Sequence, residues 1–144
     1  MDKEKISFIY PTLIQEGMSP SNMYPPTISM KINQHVKNMI GITAGFYIKT
    51  IGTYIIEVEI RHVDDNVKLE GDFYGTIETK YIEKIEESHQ LAVYTMLSDN
   101  TDFSKNGFYE VSVRFFKASN GEKIGERLDE NKCFFYVSHE DGLK

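Results

Sequence analysis

The chain contains a single cysteine, Cys133, and no tryptophan. One thiol excludes an intramolecular disulfide, so the fold has to be held by its core and its backbone ladders. Proline is scarce as well, with four residues at positions 11, 20, 25 and 26. Uninterrupted apolar runs extend over only a few residues, too short for a membrane-spanning helix. Positive charge is the minority: 16 Lys and Arg face 22 Asp and Glu, for a net charge of −6. No run of Lys and Arg is longer than a pair, and phosphate binding needs a basic patch, so no nucleic-acid partner is expected. The residues before Pro11 carry charge but no apolar run of signal-peptide length, and no Asn-x-Ser/Thr sequon occurs. Together these absences predict a cytoplasmic protein that does not engage a membrane.

What is present has the balance of a globular domain. The 144 residues are 40% apolar and 26% charged, which suits one domain, residues 1–144, with a core large enough to need no staples. Nine Tyr and nine Phe suit sheet surfaces. The clearest segment is 107–116, in which Tyr109, Val111, Val113 and Phe115 alternate with Glu110, Ser112 and Arg114. This period of two predicts a half-buried strand with the first set inward and the second facing water. Turn dipeptides flank it at Asn106-Gly107 and Asn120-Gly121. Residues 54–63 echo the pattern, with Tyr54, Ile56, Val58 and Ile60 inward and Glu57, Glu59 and Arg61 outward.

The remaining segments follow in order. Residues 1–26 read as an N-terminal arm and loop, in which Pro11 makes 6–14 an edge strand or an arm. The loop over 15–26 carries Met18, Met23 and Tyr24, either as anchors or as contacts offered to a partner. Residues 27–36 predict a strand with Ile28, Met30 and Ile32 inward. In 40–50, Ile40, Ile42, Ala44, Phe46 and Ile48 share one parity, while Gly41 and Gly45 on the other suggest a bulge or a close backbone approach. After the turn at Asp64, Asp65 and Asn66, one or two returning strands occupy 67–77. Tyr81, Ile82 and Ile85 recur at helical spacing, so 79–88 reads as a short helical turn or a charged connector. Residues 91–97 form a strand with apolar residues on both faces. The fold finishes with 123–128 and 132–138, the second nearly all apolar and expected to be central, before a polar tail over 139–144. About seven to nine short strands with turns between them predict an all-β fold, a Greek-key β-sandwich.

Gly107, Tyr109 and Val111 resemble the tyrosine corner of immunoglobulin-like domains, in which a Gly and a Tyr precede an inward residue of strand F. The resemblance implies that the Tyr109 hydroxyl bonds a nearby backbone group and that Val111 stands where antibody domains place a cysteine. The chain departs from that pattern in lacking the disulfide and the strand-C tryptophan, and in carrying Lys105 where an Asp is common. The layout is also similar to small uncharacterised bacterial sandwich proteins. These likenesses imply a fold and no activity.

Catalytic and metal motifs are thin. The four histidines at 35, 62, 89 and 139 lack close metal-type companions. His62 beside Asp64 and Asp65 is the best local cluster, though a solvated hairpin end explains it as well. Asp99, Asn100 and Asp102 fit a turn better than a calcium loop. Cys133 opens an apolar strand, which suits an inert thiol. No cofactor is expected. The expected function is therefore binding: a cytoplasmic, immunoglobulin-like module of bacterial or phage origin that contacts a protein partner, with Met18, Met23 and Tyr24 as candidate contacts. The alternative is a structural subunit of a homo-oligomer or virion-type assembly, joined edge to edge through the N-terminal arm. An enzyme with a site near His62 and Asp64 comes last.

Overall fold

A computed structural model describes residues 4–15, 17–19, 24–32, 38–69, 74–98 and 103–139. The described chain is all-β, built from β1 (Lys5–Gln15), β2 (Ser29–Ile32), β3 (Asn38–Lys49), β4 (Tyr54–His62), β5 (Val67–Lys68), β6 (Tyr74–Glu86), β7 (His89–Ser98), β8 (Gly107–Ser119) and β9 (Glu122–His139). Two sheets pack face to face, one ordered β1-β3-β7-β6 and the other β2-β9-β8-β4-β5. All pairings are antiparallel except β2 with β9, which is parallel.

The period-two segments supply the interior. From β3 come Ile40, Ile42, Ala44 and Phe46, and from β8 come Tyr109, Val111, Val113 and Phe115, all essentially without solvent exposure. The sheets meet where Phe46 packs edge-on against Phe115 at 5.1 Å. The two echoed segments are direct neighbours, since β4 pairs with β8 along their whole inward series from Ile56↔Phe115 to His62↔Tyr109. β1 is an edge strand, as Pro11 requires. Gly45 marks a close approach, because the Phe8 ring lies over it and a Cβ there would stand 2.5 Å from the ring. The Asn120-Gly121 turn joins β8 to β9, with φ of 53° and 80° matching the mirror-image turn that tight hairpins favour.

Several expectations are corrected. Residues 79–88 hold no helix: β6 runs through Glu86 and turns at 87–88 into β7. The strand is a sheet edge with three register shifts, and Tyr81, Ile82 and Ile85 are all exposed, so no single face imposes a period on it. Of the one or two returning strands expected over 67–77, two are present: β5 returns beside β4, while β6, which begins at Tyr74, belongs to the other sheet. Ile28 precedes β2 and is exposed rather than inward. Ser112 faces outward but is buried, because its ladder neighbours are the long side chains Glu59 and Lys132. The segments 123–128 and 132–138 form one strand, with its irregularity opposite 115–117 and Gly125 at φ 72°. β9 is flanked on both sides as expected, yet its outward aromatics are not covered. Among the described residues no helix is long and apolar enough to cross a membrane.

Candidate functional site

The outward face of the five-stranded sheet divides into two zones. Near the middle, Arg114 on β8 reaches both neighbouring strands, donating to Glu59 Oε1 and to Glu130 Oε2 at 3.0 Å each. Arg61 donates to Glu59 Oε2 at 2.8 Å, and Lys132 lies 3.6 Å from Glu110. Burial acts to raise the Glu59 pKa, but the Arg61 hydrogen bond and the charges of Arg61 and Arg114 outweigh it and hold the carboxyl below its ordinary value. This zone is a satisfied lattice of charges.

Toward the start of β8 the chemistry changes. Phe108 and Tyr136 stand opposite each other in the ladder, with ring centroids 5.0 Å apart in a T-shaped contact. Phe134 lies two residues along β9 from Tyr136, on the same face. Their exposures are 54% for Phe108, 51% for Phe134 and 38% for Tyr136. Val63, whose amide bonds the Phe108 carbonyl at 2.9 Å, extends the apolar cluster and is exposed too. Strand alternation forces this placement: with Tyr109, Phe135 and Val137 inward, their neighbours have to point out.

The corner behind the cluster is rigid. The Tyr109 hydroxyl donates to the Lys105 carbonyl at 2.7 Å, as the Gly-x-Tyr pattern implied. Its ring stacks on Phe135 at 5.4 Å and meets Phe103 and His62 edge-on. Gly107 sits at φ 126°, and a Cβ there would come 3.0 Å from His62 Nε2, so glycine answers both the backbone and the space.

His62 is buried and committed to the backbone. Its Nε2 lies 3.0 Å from the Asn106 carbonyl, and its Nδ1 accepts from the Asp65 amide at 3.3 Å, which together assign the Nε2–H tautomer. Asp65 bonds Lys105, and that bond with the Lys105 charge holds its carboxyl below the usual value against a smaller opposing effect of desolvation. Asp64 is exposed at the turn. Among the described residues, no three His, Cys, Asp or Glu side chains are grouped to hold a metal ion. Asp99, Asn100 and Asp102 lie outside the described residues, as does His35.

The loop contacts take a different form. Met18 is half-buried, with its sulfur 3.3 Å from the Gln15 amide and its own amide on the Gln15 carbonyl. Tyr24 is half-buried as well: its hydroxyl accepts from the Ser19 amide at 2.9 Å, and its carbonyl accepts from the Tyr10 hydroxyl at 3.0 Å. Thr12 and Thr27 add further bonds between this segment and β1. Both residues therefore anchor the loop to β1. Met23 lies outside the described residues.

A cavity of about 260 Å³ opens between the sheets at the opposite end, lined mainly by Phe46, Ile48, Tyr94 and Phe115. Its polar tip, the Tyr54 hydroxyl, donates to Glu4 at 2.6 Å and accepts from the Lys49 amide at 2.9 Å. Lys117 Nζ lies 3.4 Å from the same Glu4 carboxylate. Cys133 is partly buried, and burial pushes its thiol up to about 11, which leaves little thiolate at neutral pH. The aromatic cluster was missed in the sequence because 133–137 is apolar on both parities, which points to a central strand without separating inward from outward side chains.

Compared with protein-family models, with curated proteins and with solved structures, the chain matches none.

Proposed function

We propose that the chain is an immunoglobulin-like protein-binding module whose docking surface is the cluster Phe108, Phe134 and Tyr136. The observation that carries this reading is three large aromatic side chains exposed together on a rigid sheet, beside a face whose other groups are paired. Aromatic anchors with few rotamers suit the centre of a protein interface, and the surrounding charges suit its rim. The strand order supports the immunoglobulin-like part. Taking β1, β3, β7 and β6 as strands A, B, E and D, and β4, β8 and β9 as C, F and G, reproduces the two sheets of that fold, with β5 as an extra C′. β2, parallel to β9, is then the second half of a first strand that has changed sheets. The Tyr109 bond at the start of the F-like strand supports it further. A cytoplasmic setting and a bacterial or phage origin belong to the same reading, and the unreactive thiol of Cys133 suits a reducing compartment.

The test is capture. Wild-type protein and a Phe108→Ser, Phe134→Ser, Tyr136→Ser triple variant are immobilised and exposed to the same host extract. Melting curves of both chains establish that the variant is folded at the temperature of the comparison. A protein retained by the wild type and lost by the variant supports the reading; identical retention by both overturns it.

A further inference from the structure

The outward face of the four-stranded sheet has a chemistry unlike that of the other sheet. From the row Phe8–Gly45–Val93 to the row Thr12–Gly41–Leu97, no outward residue of β1, β3 or β7 carries a charge, and on the edge strand β6 the row between them, Tyr10–Thr43–Thr95, ends at Glu78. Ile14 and Val93 are buried on this side, at 6% and 3% exposure, yet neither belongs to the core between the sheets. Neighbours flatten the face. Ile14, Leu97 and Thr95 close over Gly41, where a Cβ would meet them at 3.1, 3.3 and 3.3 Å, and Phe8 lies over Gly45 and stacks on Tyr10. Thr43 and Thr95 satisfy each other at 2.9 Å across the centre. A flat, uncharged sheet face packs well against another sheet and offers little to water.

The charges that exist are placed at the edges. Lys5, Tyr47, Leu91 and Glu83 form one row across β1, β3, β7 and β6, with a cation at one margin and an anion at the other, both exposed. A two-fold axis parallel to the strands, lying between two such faces, reverses the row over itself. Lys5 of one copy then stands over Glu83 of the second, and Tyr47 over Leu91. In the next row Phe8 stands over Tyr81 and Gly45 over Val93. Sheets pack about 10 Å apart, within reach of a Lys and a Glu extended toward each other. Four strands about 4.8 Å apart and about ten residues long cover about 600 Å². Two such faces span about 1,200 Å² of sheet plane, the size class of a specific interface.

We propose that the chain forms a two-fold homodimer through the outward face of its four-stranded sheet, with Lys5 of each copy paired to Glu83 of the other. The dimer leaves Phe108, Phe134 and Tyr136 open on both outer sides and so presents that cluster twice. The dimer stands whether or not the cluster binds a partner.

Sedimentation equilibrium at low salt, over a hundredfold range of concentration, tests it with wild type, Lys5→Glu, Glu83→Lys and the double reversal. Each single reversal sets like charges face to face at two symmetric places and should weaken association by about tenfold or more. The double reversal restores the opposite pairing and should restore association. Circular dichroism melts establish that all four chains fold. Tyr47→Lys should abolish association in every background. The proposal is overturned by a wild type that stays monomeric throughout, by a dimer indifferent to the single reversals, or by a dimer that Phe134→Ser disrupts instead. A wild-type monomer that binds neutral phosphatidylcholine vesicles would also overturn it and assign the face to lipid.

Discussion

Tyr109 ties the connection between β7 and β8 to the core. Its ring lies among Phe103, Phe135 and His62, while its hydroxyl reaches back four residues to the Lys105 carbonyl. Removing the oxygen leaves the ring packing in place and removes the bond to the Lys105 carbonyl. Tyr109→Phe should lower the unfolding free energy by about 1 kcal/mol, read as a shifted urea midpoint at unchanged slope. An unshifted midpoint would mean that water replaces the hydroxyl at no cost and that the bond is incidental to the corner. His62 works at the same scale. With one ring nitrogen on the Asn106 carbonyl and the other on the Asp65 amide, it braces the turn after β4.

The pairing of β1 with β3 shows how an edge strand carrying a proline stays in register. The ladder slips between Ile6 and Phe8, and directly past the slip the Phe8 ring folds over Gly45. Only a residue without a Cβ admits the ring there. Gly45→Ala should destabilise the fold by about 1–3 kcal/mol, the usual cost of forcing extra volume into a packed place. In a Phe8→Ala background the same substitution should cost far less, and the difference between the two backgrounds measures the coupling. Additive effects would mean that the glycine is required for its backbone alone. Legibility also divides by element. β4 and β8 were readable because polar residues alternate with their inward apolar ones, and β3 because Ile40, Ile42, Ala44, Phe46 and Ile48 share one parity, against which Gly41 and Gly45 stood out, although β3 is buried on both faces. β6 was not, because an edge exposed on both faces has nothing to select a period, and the spacing of Tyr81, Ile82 and Ile85 imitated a helix. The run 133–137 was rightly expected to be central, since β9 lies between β2 and β8, but apolar residues on both parities left its outward face unreadable.

At the scale of the molecule, the two sheets share one core and turn opposite chemistries outward: a charge lattice ending in an aromatic cluster on one side, a surface with an uncharged centre and charges at its margins on the other. That asymmetry was invisible in the composition, which averages the faces, and it depends on pairings between strands far apart in sequence. It also predicts how stability is distributed. β8 is bonded on both sides, and its inward residues are all fully enclosed, whereas β6 has one neighbour and exposed side chains on both faces over 81–86. Amides exchange through local opening, whose free energy runs from near zero at frayed edges up to the global value in the core. Hydrogen exchange read by mass spectrometry should therefore find β8 and β3 slowest and 81–86 fastest, with β7 slower than β6 although the two form one hairpin. A face-to-face dimer covers side chains and leaves the free ladder groups of β6 in water, so the ranking should persist as the protein is concentrated. Should 81–86 become protected with concentration, copies would instead be adding to one another edge to edge along β6, and assembly would run through the ladder rather than the face.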